Sequence, residues 1–267
     1  MHRANFLDTS MFLQNPFNNK AAIEYSNYNG FDGNQLVNIS NKTCPKTQQV
    51  HNEFRSFILN SNFSCILGKA AIQKKAYRFG FYPDMKSENC LQGIARDLYN
   101  FVIERPVFEE SFSTFVASFS LPQIKNEGNF EASMWDLLYR LQILDQQFHS
   151  YDPAVSSAPQ DDNYAYSFAG LAFFIVGLHP KSSRQTRTFH HPTIVFNPHI
   201  QFRNLRKTQK FLKYQSIIRE RELNLQGNIN PNLADFGEES EARQYSGRHV
   251  EKNWTCPLHS NNNPDKN

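Results

Sequence analysis

The sequence predicts an α+β fold, a single domain with a mixed, largely antiparallel central sheet flanked by helices. Three observations predict it. Residues 91–103 and 130–148 carry apolar side chains at helical spacing, whereas residues 76–82, 112–121 and 193–196 alternate or run apolar over strand lengths. Ala169-Gly170 separates two apolar runs by a turn short enough for a hairpin, so antiparallel pairing is expected there. No internal repeat and no linker interrupts the 267 residues, so one domain is expected.

Taken in order, residues 1–50 are Asn-rich and lack apolar period, and read as an extended or partly ordered arm. The domain proper is expected over residues 51–258, with a polar tail at 259–267. Phe54, Phe57 and Ile58 suggest a short helix, and Cys65-Ile-Leu-Gly a short apolar run. Residues 76–82 (AYRFGFY) form a strand, and Leu91, Ile94, Leu98 and Phe101 give the next helix one apolar stripe. Phe112, Val116 and their alternating neighbours predict a strand to Leu121. The clearest helical period follows, in Phe130, Met134, Leu137, Leu138, Leu141, Leu144 and Phe148. Residues 151–163 are rich in Pro, Ser and Asp and read as a surface loop. After the hairpin and the strand at 193–196, residues 201–222 read as one charged amphipathic helix with Phe202, Leu205, Leu212 and Ile217 inward. Residues 224–256 carry little period of either kind.

Composition narrows the function classes. Lys and Arg number 28 against 25 acidic residues, a net charge of +3 that does not make a nucleic-acid binder. Aromatics reach 14%, with 24 Phe, so flat side chains dominate the interior or line a pocket. Cys44, Cys65, Cys90 and Cys256 are scattered without a CxxC pair, which fits a reducing compartment. The longest apolar run, residues 170–178, is too short for a membrane helix, and no signal-peptide pattern opens the chain. A cytoplasmic location without membrane attachment is the expectation, and the four Asn-x-Ser/Thr sequons read as chance.

Chemically capable residues crowd into residues 173–257. His179 follows a strand directly, with Arg184 and Arg187 close behind. Neutral imidazole suits iron or zinc, and guanidinium pairs meet carboxylates bidentately. His179 reads equally as a loop histidine bonding a carbonyl, and the arginines as ordinary surface cations. His199 stands at a second strand end, in FNPHIQF. His179, His199 and a carboxylate could hold a bare metal, though the spacing matches no standard motif. Gln226, Asn228 and Asn230 make an amide-rich loop around Gly227, suited to lining a polar pocket or to turn chemistry. Asp235, Glu238, Glu239 and Glu241 supply carboxylates near Tyr245 and Trp254, which could receive a cationic nitrogen or simply cap helices. GxGxxG, GxxxxGKS/T, GxSxG and HExxH are all absent, which removes the usual support for Rossmann, P-loop, α/β-hydrolase and zincin chemistry.

In their order, GLHPKSSRQTR, FNPHIQF, LNLQGNINPNLADFGEESEARQYSGR and WTCP resemble the YqcI/YcgG family, densely over residues 173–257 and more loosely back to about residue 51. That family includes haem-dependent N-hydroxylases of guanitoxin-type and arginine-derived pathways. The resemblance implies b-type haem, a histidine axial ligand, O₂ as co-substrate, an electron-donor protein or chemical reductant, and a guanidine- or amine-bearing small molecule as substrate. Carried onto this chain, it makes His179 the axial ligand with His199 as the alternative, and Arg184 and Arg187 the partners of the haem propionates. Gln226, Asn228 and Tyr245 become candidates to donate protons or hydrogen bonds at bound oxygen. Asp235 and Glu241 become candidates to hold a guanidinium. A haem-binding or haem-sensing protein without turnover, and a non-haem metalloenzyme, are the competing readings. A homodimer is neither required nor excluded.

Overall fold

The computed structural model describes residues 14–39, 44–108, 112–233 and 237–258. Among them, eight helices surround a seven-stranded mixed sheet. The helices are α1 (Lys20–Tyr25), α2 (Pro45–Leu59), α3 (Ile66–Gln73), α4 (Glu88–Glu104), α5 (Glu127–Asp145), α6 (His199–Lys207), α7 (Phe211–Gln226) and α8 (Ala242–Tyr245). The strands are β1 (Asn29–Phe31), β2 (Leu36–Asn38), β3 (Tyr77–Asp84), β4 (Thr114–Leu121), β5 (Tyr166–Phe168), β6 (Leu171–Leu178) and β7 (Thr193–Pro198). Their order across the sheet is β2-β1-β3-β4-β7-β6-β5. Only β3 and β4 pair in parallel; every other neighbour is antiparallel, so the fold class read from the sequence holds.

Strand alternation builds two cores. Phe115, Ala117 and Phe119 of β4, Phe173 and Ile175 of β6 and Phe196 of β7 point to one face, where α4 and α5 cover them. Tyr77 and Phe79 of β3, Val116, Leu178 and Val195 point to the other, toward α2 and α3. A sheet covered on both faces reads as apolar runs rather than strict alternation, which is why residues 171–178 are apolar almost throughout. Asn126 starts α5 by accepting the Asn129 N–H at 2.8 Å. Its Phe130, Met134, Trp135, Leu137, Leu138 and Leu141 are all buried.

The hairpin is as expected. Ala169 and Gly170 take φ values of 51° and 70°, the positive pair that a type I′ turn requires, and Phe168 pairs with Leu171. Two expectations change. Residues 14–39, read as part of an arm, contribute α1, packed on α4, and two strands at the sheet edge, with Phe17 and Tyr28 in the core. The helix expected over 201–222 is two helices. After α6, Gln209 adopts φ 56°, the Lys210 N–H reaches the Leu205 carbonyl and the Gln209 N–H reaches that of Arg206, closing a Schellman motif. That stop resets the helical phase. Leu212 therefore faces solvent at 70% exposure instead of the core.

Candidate functional site: an apolar cavity beneath α7

Between the second sheet face and helices α2, α3, α6 and α7 lies a cavity of about 320 Å³, within the size range of small-molecule sites. Phe174, Val176 and Leu178 form its floor, one alternate row of β6, with Val195 and Asn197 of β7 beside them. Phe54 and Ile58 of α2 and Phe202 and Leu205 of α6 make apolar walls. Helix α7 closes the roof with Phe211, Tyr214 and Ile218, yet none of its residues is fully buried. It spans empty space rather than packed side chains.

Charge is distributed unevenly around this apolar volume. At the end nearest Leu178, Arg184 donates through Nη2 to Glu222 Oε1 at 2.7 Å and to the Asn228 carbonyl at 3.0 Å, and through Nη1 to Asn228 Oδ1 at 2.5 Å. Its Nε–H has no partner, although the residue is only 6% exposed. Arg187 donates only to main-chain carbonyls, of Tyr245 at 2.9 Å and Gly177 at 3.4 Å, and forms no ion pair among the described residues. Burial pulls its pKa down to about 10, against a weaker upward pull from Glu222 and the Cys65 sulfur. A half-buried guanidinium without a carboxylate partner is unfavourable unless something else compensates its charge. Cys65, at the start of α3, borders the same end, and its Sγ accepts the Gly68 N–H at 3.4 Å.

Near Phe174, about four residues or roughly 13 Å along β6, a carboxylate joins the wall, and Arg206 and Arg219 also line the cavity. Glu241 lines the cavity at 5% exposure, and its two oxygens lie 2.9 and 3.1 Å from His199 Nε2. The Gln201 side-chain Oε1 accepts the Ser113 N–H at 3.0 Å on the same side.

Of the residues singled out in the sequence, Arg184, Arg187 and Glu241 meet in this cavity. The histidines do not. His179 continues the opposite row of β6 and packs against α5, its ring stacked on Phe130 with centroids 4.3 Å apart. Its Nδ1 accepts the Lys181 N–H at 3.2 Å, and its Nε2 has no partner. Burial lowers its pKa to about 4, so the ring is neutral, with Glu127 and Arg187 acting in opposite directions. His199 is 1% exposed and lies outside the cavity, behind Glu241. The register of β6 on β7 places the two histidines at opposite ends of that pairing, six residues or roughly 20 Å apart. They therefore cannot share one metal ion or flank one haem. Among the described residues no group of three His, Cys, Asp or Glu is arranged to hold a metal.

Three further candidates serve the loop architecture. Gln226 accepts the Gln185 N–H at 3.0 Å and donates to the Ser183 carbonyl at 2.7 Å, tying the end of α7 to the 181–187 loop. Asn228 is occupied by Arg184. Tyr245 is fully buried against Trp135; its hydroxyl accepts the Tyr166 N–H at 3.1 Å and donates to the Phe173 carbonyl at 3.3 Å. Asp235 lies outside the described residues. Sequence reasoning did not single out Cys65, nor the apolar walls from α2 and α7; a lone cysteine in a CILG run carries no spacing signal.

No helix among the described residues is long and apolar enough to cross a membrane. All four cysteines are free thiols. No curated protein and no solved structure matches the chain. A family model matches residues 54–259, a span that takes in the sheet from β3 to β7 and every residue placed around the cavity. The chain belongs to the YqcI/YcgG family.

Proposed function

We propose that this protein is a haem-dependent oxygenase that N-hydroxylates a guanidine- or amine-bearing small molecule, with its chemistry placed at the cavity beneath α7. One observation carries the reading: an apolar cavity with Arg184 and Arg187 at one end, Arg187 without an ion pair among the described residues, and a buried carboxylate at the other. Haem is a flat apolar ring with two carboxylates, and the cavity offers it apolar walls, a sulfur donor in Cys65 and anion partners in Arg184 and Arg187. The orphaned Nε–H of Arg184 fits the same assignment, since a propionate oxygen would satisfy it.

Bound haem supplies the activation of O₂. The chain supplies the rest. Glu241 presents two carboxylate oxygens, the geometry that a guanidinium meets bidentately, and so orients one substrate nitrogen toward the cavity interior. His199 Nε2 lies 2.9 and 3.1 Å from the two carboxylate oxygens and keeps that carboxylate fixed when no cation is bound. Helix α7 excludes water, which strengthens every polar contact inside.

The test is the visible spectrum of the purified full-length chain titrated with haem, then with arginine and other guanidines. A Soret band that saturates with haem and shifts on adding a guanidine is expected, followed by hydroxylated product with O₂ and a reductant. A flat visible spectrum would end the reading. A saturating spectrum without substrate-dependent product would make the protein a haem binder without turnover.

A further inference from the structure

We infer that the turn between α6 and α7 is the docking face for an acidic one-electron donor protein; the inference rests on the oxygenase reading above. The sequence supplies the charge. From His199 to Arg219 there is no Asp or Glu, whereas Arg203, Arg206, Lys207, Lys210, Lys213 and Arg219 are basic. Those six cations exceed the net charge of +3 for the whole chain, so the rest of the sequence is net acidic. A basic patch on such a background steers an acidic partner to one place.

The fold brings the cations to the surface. The stop at Gln209 sets Lys207 at the end of α6 and Lys210 and Lys213 at the start of α7, all three exposed. Arg203 leans on Asp152 at 3.8 Å and Arg206 lies 4.5 Å from the Phe211 ring centre, so the lysines carry the outward charge. Leu212, 70% exposed, stands between Lys210 and Lys213. An apolar spot flanked by cations suits a small, transient redox contact, whose partner brings a complementary acidic rim. A phosphate backbone would gain nothing from Leu212.

Position selects a redox partner among acidic proteins. Leu205, Arg206, Phe211 and Tyr214 line the cavity, while Lys207, Lys210, Leu212 and Lys213 face solvent. One short turn thus supplies both cavity wall and outer surface, and a donor seated on it lies close to the proposed chemistry. Hydroxylating an N–H bond with O₂ puts one oxygen atom into the product and reduces the other to water. That consumes two protons, taken from solvent, and two electrons. Each electron leaves the donor's redox centre in a separate transfer, which oxidises that centre by one electron.

The experiment uses the full-length chain loaded with ferric haem, with a plant-type two-iron ferredoxin as the acidic donor. Stopped-flow absorbance follows haem reduction. Raising ionic strength from about 0.01 M to about 1 M shortens the screening length from about 30 Å to about 3 Å, so the second-order rate should fall about tenfold or more. The triple variant Lys207→Glu, Lys210→Glu, Lys213→Glu should lower the low-salt rate at least as far. Its reduction by photoexcited deazaflavin, an uncharged small molecule, should match that of the unmutated protein. In the haem-free chain, carbodiimide cross-links to ferredoxin should map by peptide mass spectrometry to these lysines and disappear at high salt, a readout that needs neither haem nor turnover. An unchanged ferredoxin rate in the triple variant, or cross-links confined to other residues, would overturn the docking face and leave the haem reading intact. Salt-dependent binding of duplex DNA that the triple variant loses, with ferredoxin ignored, would give the patch to nucleic acid and overturn the inference as well. Absence of any Soret band on haem titration would overturn the haem reading and the electron-delivery role with it.

Discussion

Glu222 joins the cavity roof to its wall, and truncating it offers a sharp test of how the roof is held. Its Oε2 accepts the Ser64 hydroxyl at 2.6 Å, its Oε1 accepts Arg184 Nη2 at 2.7 Å, and Thr186 Oγ1 lies 3.4 Å from both oxygens. The Arg184 and Glu222 side chains are 7% and 13% exposed, so Glu222→Ala leaves an almost buried guanidinium with only Asn228 to accept from it. Removing one partner of a buried pair costs about 3–5 kcal/mol, and the partial exposure of Glu222 argues for the lower end, about 3 kcal/mol. Because α7 contains no fully buried residue, the loss falls on closure of α7 rather than on the sheet. At 1.4 kcal/mol per tenfold, opening of α7 should become roughly 100-fold more frequent. Hydrogen exchange with mass spectrometry should find residues 211–226 exchanging faster by about that factor, with β6 and α5 unchanged. Unaltered exchange over 211–226 would refute the latch, and a matching rise in β6 would show that α7 opens only when the whole domain does.

Further predictions concern pH, packing and substrate charge. Burial depresses His51 and His179 from 6.5 to about 4, so each contributes stability that is complete above pH 6.5 and lost as pH falls toward 4, by up to roughly 3 kcal/mol each. Asp97 acts in the other direction: burial raises its carboxyl from 3.8 to about 6, and its contribution is lost as pH rises through that window. His179→Gln should therefore flatten the pH dependence of Tm between 4 and 6.5, whatever its effect at pH 7, and an unchanged slope would contradict a buried neutral ring. Gly177→Ala would place Cβ 2.5 Å from Phe130 Cε1 and 3.1 Å from the Tyr245 carbonyl oxygen, an overpacking cost of about 1–3 kcal/mol, so calorimetry should find a lower Tm. Glu241→Gln should weaken guanidine binding to the haem-loaded protein by roughly tenfold or more, the worth of a charge-assisted hydrogen bond, in a titration of the Soret shift. Equal affinity in both proteins would move the substrate cation elsewhere.

The fold was legible where local chemistry decides it. The β5–β6 hairpin follows from two residues able to take positive φ between apolar runs, and α5 from an apolar set that recurs at helical spacing. The break at Gln209 was not legible, because a non-glycine residue in the left-handed region leaves no mark in a sequence whose flanking segments both favour helix. The edge strands β1 and β2 were hidden for another reason. Each is three residues long, and they are held by pairing with β3 and by the burial of Tyr28, contacts that do not exist until the sheet has formed.

The site was partly legible for a related reason. Arg184, Arg187 and Glu241 could be picked out as chemistry, but strand exits were taken as pointing to one place, whereas alternation in β6 sends Leu178 into the cavity and His179 to the far face. One residue of register thus separates a wall residue from a core imidazole. The cavity itself has no signature in period, since a helix roofing an empty volume repeats apolar residues just as one packed on a core does. What distinguishes α7 is that Phe211, Tyr214 and Ile218 face inward while none of its residues reaches full burial. A helix of sixteen residues held that way depends on its few polar clasps, chiefly Glu222 and Gln226. Any ligand filling the space beneath it, by giving that stripe something to pack on, would add the apolar contact the protein alone leaves unmade. Ligand binding and closure of α7 should consequently be one coupled equilibrium, with Glu222 setting its position before the ligand arrives.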